Sequence, residues 1–250
     1  MKIIILAAGK GKRLRPLTNY KPKCLVKYNN KPIIDYIIDS IDESSIDDIV
    51  IVNGYMRESL ETHFKNREFN FCFNPIFNST NMLYSLFCAE NFLDDDVIIS
   101  YSDIIYNTDI LNKLIDCKFD IGVVIDKNWK ELWSLRMDNP LEDVESLKIV
   151  DNKITEIGFK SSDITEIQGQ YIGLIKFSKS KITEIKTFYK SLNLKTKYYG
   201  QYINQMYLTT FLQLLIDNDI EINPVYINGG WIEIDSIQDL ENYNKKGIKF

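Results

Sequence analysis

Along the first half of the chain, short apolar runs alternate with segments of helical periodicity. The run from Ile3 to Ala8 reads as a buried strand. Asp48–Asn53, Phe69–Phe73, Asp96–Tyr101 and Ile121–Ile125 repeat the pattern. Between them, apolar residues recur on one face over about 32–41, 56–66, 78–92 and 108–117, which predicts helices. Pro32 suits the first turn of the first helix, and Asn30 is its expected cap. Strands alternating with helices at this spacing predict an α/β fold, a Rossmann-like and mostly parallel sheet with helices on both faces. Such sheets bind ligands outside the carboxyl ends of their strands. Gly9, Gly54, Ser79–Asn81 and Asp103 all fall at or just beyond those ends.

Between about 127 and 177 the pattern changes. Val144–Val150 and Ile154–Phe159 flank Asp151-Asn152-Lys153, which predicts a hairpin, and Tyr171–Phe177 reads as another strand. We expect one domain over 1–250, with 127–177 as an inserted subdomain of mixed or antiparallel sheet. Ser178 is an expected cap for a helix to about Leu192, and a long apolar helix follows over about 201–216. Ile222–Ile227 and Trp231–Ile234 read as final strands, and Ser236 as the cap of a C-terminal helix.

Charge is segregated. The first 34 residues hold nine Lys or Arg and no acid, in a chain of 30 bases and 35 acids overall. The cations follow two glycines, Gly9 and Gly11, that end the first strand. A turn with outward N–H groups followed by fixed cations suits a polyphosphate. A Walker loop is absent, and a dinucleotide fingerprint fails because Leu14 stands at its third glycine. The net charge of −5 argues against general nucleic-acid or membrane-surface binding. No stretch approaches the ~20 apolar residues of a membrane span. The apolar run at Ile3–Ala8 is too short for a signal peptide. Cys24, Cys72, Cys88 and Cys117 show no C-x-x-C spacing and read as buried thiols of a reducing compartment. We therefore expect a cytoplasmic protein.

What remains at the N-terminus is L-A-A-G-x-G-x-R-L-x-P-L-T over Leu6–Thr18, then K-P-K-x-L-V over Lys21–Val26. This resembles the signature of the nucleotidyltransferases that activate sugar phosphates and phosphocholine. The resemblance implies that Arg13 and Lys23 are catalytic: Arg13 meets the β- and γ-phosphates, and Lys23 meets the α-phosphate and the acceptor phosphate. It implies a nucleotide site built from Leu6, Ala7, Ala8, Gly9, Gly11, Lys12, Gly54 and Ser102. It also implies a magnesium ion held by Asp103, which follows an apolar strand, and by Asp235 in Glu233-Ile-Asp-Ser-Ile-Gln-Asp239. Magnesium keeps several waters, so one or two carboxylates suffice. Glu233 is a further candidate on the same strand face.

The stretch Thr80-Asn81-Met82-Leu83-Tyr84-Ser85-Leu86 resembles the T-N-x-x-S-L helix start of cytidylyltransferases that act on phosphocholine, aminoethylphosphonate and related small acceptors. Thr80, Asn81 and Ser85 then read the pyrimidine edge, or Thr80 or Asn81 is simply a helix cap. The resemblance runs through Ile99–Tyr106, Val124–Trp129, Asn139–Asp143 and Gln170–Leu174, nearly the whole chain. It implies CMP transfer from CTP to a small phosphorylated acceptor, phosphoglutamine first, for decoration of a cell-surface polysaccharide, in a possible homodimer. The W-x-D-x-G-T ending of sugar-phosphate relatives is missing, which disfavours a sugar-1-phosphate acceptor. A glycosyltransferase usually carries D-x-D, and Ser102-Asp103 lacks it. The inserted segment is then the acceptor pocket. Trp129, Trp133 and Trp231 form a cage for a quaternary ammonium or part of the core. Arg136, Glu156, Gln170 and Tyr171 are the polar candidates for an amino-acid-like acceptor.

Overall fold

The computed structural model describes all residues, 1–250. The chain begins with β1 (Lys2–Ala7), a small hairpin of β2 (Lys27–Tyr28) and β3 (Lys31–Pro32), and α1 (Ile33–Asp42). There follow β4 (Asp48–Asn53), α2 (Arg57–His63), β5 (Asn70–Phe73), α3 (Met82–Cys88), β6 (Val97–Tyr101) and β7 (Ile104–Tyr106). Then come α4 (Thr108–Asp116), β8 (Ile121–Asp126), α5 (Trp129–Arg136), β9 (Glu145–Val150), β10 (Lys153–Lys160) and β11 (Gln170–Phe177). The last elements are α6 (Lys179–Ser191), α7 (Leu208–Asp217), β12 (Asn223–Ile227), β13 (Trp231–Glu233) and α8 (Ile237–Lys246).

The main sheet has seven strands in the order β12-β8-β11-β6-β1-β4-β5. β1 pairs in parallel with β4 and β6, as do β4 with β5 and β8 with β12. Both faces of β1 are buried. Ile3, Ile5 and Ala7 join one core with α1, α4, α5 and α8, and Ile4 and Leu6 join the other with α3, α6 and α7. That explains the continuous apolar run, since a half-covered strand would alternate. No helix is long and apolar enough to cross a membrane.

Several expectations change at the element level. β11 is not part of the insertion: it runs antiparallel between β6 and β8, in the middle of the main sheet. The insertion's own sheet is only the β9–β10 hairpin, turned at Asp151 and Asn152, both in the left-handed region. Asn30 does not cap α1. It and Asn29 take positive φ in the turn between β2 and β3, the geometry that tight hairpins prefer. Trp231–Glu233 pairs with β7 outside the main sheet. Ser178 stands at the start of α6 without a capping bond and instead donates to Asp120. Ser236 caps α8 through a full capping box with Asp239.

Candidate active site

β1 and β6 end side by side, and the loops after them define a cavity of about 320 Å³. The loop after β1 is held by Leu14, fully buried, and by Thr18, whose hydroxyl donates to the Gly11 carbonyl at 2.9 Å. Gly11 has φ +57°, and a Cβ there would lie 2.8 Å from Lys23 Cβ. Only glycine lets this loop pass so close to the lysine. Lys23 follows in a single 3-10 turn, with Cys24 buried beneath it.

Across the cavity, Asp103 follows β6 and Asp235 follows β13. Lys23 Nζ lies between them, 2.6 Å from Asp103 Oδ2 and in direct contact with Asp235 Oδ1. Arg13 Nη2 is 2.6 Å from Asp235 Oδ2. The carboxylates of Asp103, Glu233 and Asp235 each offer an oxygen within 4.8 Å of the others. Asp103 Oδ1 is buried and has no partner. Three converging carboxylates, one with a spare buried oxygen, fit a hard divalent cation.

Arg136 lies under this cluster with its side chain 1% exposed. It reaches Glu233 at 2.7 Å, Asp239 at 3.3 Å, Asp143 at 3.4 Å and Asp235 at 3.7 Å, and its guanidinium sits 5.1 Å from the Trp133 ring centroid. Asp239 in turn accepts from the backbone N–H groups of Asp235 and Ser236. Burial alone would lower the pKa of Lys23, but Asp103 and Asp235 outweigh it and raise it. Burial would raise Asp235, yet Lys23, Arg13 and Arg136 bring it down to about 2. Glu233 is pushed up to about 8 by burial and by the charge of Asp235, against the pull of Arg136.

A second cavity, of about 280 Å³, opens from the first and shares Arg13, Met82, Tyr101 and Asp235 with it. Its walls include Trp133, Tyr171, Tyr207 and Trp231, and its acids are Asp143, Glu145, Glu233 and Asp235.

The structure brings most of the sequence-derived candidates to these two cavities. Leu6, Ala7, Gly9, Gly11 and Lys12 line the first, as do Arg13, Lys23, Asn81, Ser102, Asp103 and Asp235. Ala8 and Gly54 lie behind it, where a Cβ on Gly54 would stand 2.9 Å from Ala8 Cβ. Thr80 and Ser85 are tied to the buried Asn74, whose amide donates to both hydroxyls. Thr80 lies in the turn before α3 and Ser85 on the buried side of α3 itself, and neither lines the cavity. Asn81 caps α3 through the Met82 N–H and also lines the cavity.

In the second cavity stand Trp231, Gln170 and Tyr171, with Trp231 donating to Asp126 at 2.8 Å. Trp129 is core, 1% exposed and edge-on to Trp133. Glu156 lies on β10, paired with Lys148 away from the cavities. Arg136 backs the acids and does not face the cavity. Sequence reasoning missed Asn74, Tyr101, Glu145 and Tyr207. Tyr101 lies in the Ile99–Tyr106 stretch but is not singled out there, Glu145 and Tyr207 reach the second cavity only through the fold, and Asn74 is fully buried against Thr80 and Ser85. His63 pairs with Asp35, remote from the cleft.

A family model described as nucleotidyl transferase matches residues 2–131. The chain is 43% identical over 248 residues to CTP:phosphoglutamine cytidylyltransferase of Campylobacter jejuni, covering 96% of this chain and 98% of that protein. It is 37% identical over 114 residues to choline-phosphate cytidylyltransferase of Streptococcus pneumoniae, covering 46% of this chain and 50% of that protein. The solved structure of CTP:phosphocholine cytidylyltransferase from Streptococcus pneumoniae superposes with a TM-score of 0.74 at 24% identity, over 99% of each chain.

Proposed function

The chain belongs to the nucleotidyl transferase family, and from that premise we propose that it transfers CMP from CTP to a small phosphorylated acceptor, releasing pyrophosphate. The observation that carries this reading is the meeting of Arg13 and Lys23 with Asp103 and Asp235 at the junction of two cavities. The first cavity holds the nucleotide. The second, with Trp133 and Asp143 contributed by the 127–177 segment, holds the acceptor.

An acceptor phosphoryl oxygen attacks the α-phosphorus of CTP. The new P–O bond forms as the bond to the oxygen bridging to the β-phosphate breaks, and pyrophosphate leaves with that electron pair. The attacking oxygen is already anionic near neutral pH, so no general base is needed. The glycine loop with Lys12 and Arg13 holds the β- and γ-phosphates. Lys23 moves from the acids to the α-phosphate and acceptor oxygens, neutralising the charge that gathers there. Asp103 and Asp235 suit a magnesium ion, which when bound supplies further charge neutralisation on the triphosphate. The remaining work is positioning: the two cavities place nucleophile and phosphorus within one site.

Phosphoglutamine is the favoured acceptor, because the relative that aligns over 96% of this chain carries that substrate in its name. Aminoethylphosphonate and phosphocholine come next. The CDP-linked product would serve as an activated donor for decorating a cell-surface polysaccharide. The test is pyrophosphate release with each of the four NTPs against these acceptors and glucose 1-phosphate. Release with CTP and a small phosphorylated amine is expected. No release with CTP and any acceptor rejects the reading.

A further inference from the structure

The acids of the second cavity are not equivalent. Asp143 and Glu233 are paired with Arg136, and Asp235 with Arg13 and Lys23. Glu145 has no basic partner; its carboxylate accepts one hydrogen bond, from the Thr209 hydroxyl at 3.5 Å. Its position is nevertheless fixed. Gln170, 4% exposed, donates to the Glu145 carbonyl at 2.6 Å and accepts from its N–H at 3.1 Å. Beside it, Tyr101 and Tyr171 meet edge to face at 5.6 Å, and the Tyr171 hydroxyl is buried with no partner. The cavity thus holds one unpaired carboxylate, an unused hydroxyl and aromatic walls. Its single lining cation, Arg13, stands on the rim shared with the nucleotide cavity.

We propose that Glu145 selects the acceptor by pairing with an ammonium group on the end of that molecule away from its phosphoryl group. This rests on the proposed reaction. The phosphoryl end is drawn toward Arg13 and Lys23, where the cations are, so the other end faces Glu145. A neutral end leaves the carboxylate uncompensated in a half-enclosed site, and an anionic end meets repulsion. An ammonium satisfies the carboxylate and finds the faces of the surrounding rings. Burial pushes the Glu145 carboxyl up to about 7, the direction expected of an acid that awaits a cation.

The test pairs each cationic acceptor with an analogue that lacks the positive charge: phosphocholine with 3,3-dimethylbutyl phosphate, aminoethylphosphonate with propylphosphonate, and phosphoglutamine with its deamino counterpart, which keeps the α-carboxylate. Wild type should favour the amine by about tenfold or more in KM, the scale of one charge-assisted contact. Glu145→Gln keeps the shape and should abolish that preference, leaving the KM for CTP and the melting temperature no worse. Equal use of amine and isostere by wild type overturns the proposal, and so does an unchanged preference in the variant. If no compound yields pyrophosphate, the reaction itself is wrong. The same pairs are then titrated by tryptophan fluorescence, since Trp133 and Trp231 line the cavity. Amine-selective binding that Glu145→Gln removes sustains the assignment, and unselective or absent binding overturns it.

Discussion

Lys23 occupies the space between two carboxylates that also suit a metal. Its ammonium offsets part of the charge of Asp103 and Asp235, and under the proposed reaction a divalent cation arriving with the nucleotide would take its place. A cation entering alone must displace it, whereas a triphosphate offers the lysine a new partner. Metal and nucleotide are therefore expected to bind as a coupled pair, each tightening the other by the same factor. In Lys23→Met, manganese binding measured by electron spin resonance without CTP should tighten about tenfold, on the order of 1.4 kcal/mol. Turnover of the same variant, and of Arg13→Ala, should fall about 10²-fold or more, the scale of losing one preorganised charge partner in the transition state. Unchanged metal affinity would remove the idea that the lysine stands in for the metal. Arg136 differs, because its partners stay buried when it is gone. Arg136→Met should destabilise by about 3–5 kcal/mol in urea unfolding, as expected when a buried ion pair loses one member. Arg136→Lys should recover only part of this, since one ammonium cannot span Glu233, Asp239 and Asp143.

At the scale of elements, the site depends on a short loop with no room to vary. Gly11→Ala would place a non-glycine residue at φ +57° and a methyl against Lys23. Strain of about 1–2 kcal/mol is expected from the backbone alone. The loss of turnover should exceed the loss of stability, because the loop shifts before the core does; comparing steady-state rates with urea midpoints separates the two. This loop was legible in the sequence because its glycines, cations and flanking apolar strand lie within 27 residues. The capping box at Ser236 and the Asp151-Asn152 turn were legible for the same reason: each is a local rule. The place of β11 was not. An apolar strand carries no mark of its neighbours, and its antiparallel seat between β6 and β8 is set by long-range pairing. The ties of Thr80 and Ser85 to the buried Asn74 amide were not legible, because Asn74 reaches them only once the chain is folded.

For the molecule as a whole, two raised carboxyls make stability depend on pH. Glu145, ordinarily near 4.5, titrates at about 7 in the folded chain, and Glu233 at about 8. The folded state therefore holds more protons than the unfolded state between about pH 4.5 and 8, and stability falls as pH rises through that window. Asp235 acts in the opposite sense, but only below about pH 4, where its lowered pKa lets the unfolded chain take up the proton first. The ligand-free protein should accordingly melt at a higher temperature at pH 5.5 than at pH 8.5. Glu145→Gln has no carboxyl to ionise, so its share of the slope disappears. The variant should gain on wild type toward high pH by on the order of 1–3 kcal/mol, read as about 2–4 °C of melting temperature per kcal/mol. A bound amine supplies the missing cation to Glu145, so adding the acceptor at pH 8.5 should restore more stability to wild type than to the variant. Melting curves at the two pH values, with and without acceptor, decide it. A wild-type slope that the substitution leaves intact would place the titrating group elsewhere in the molecule.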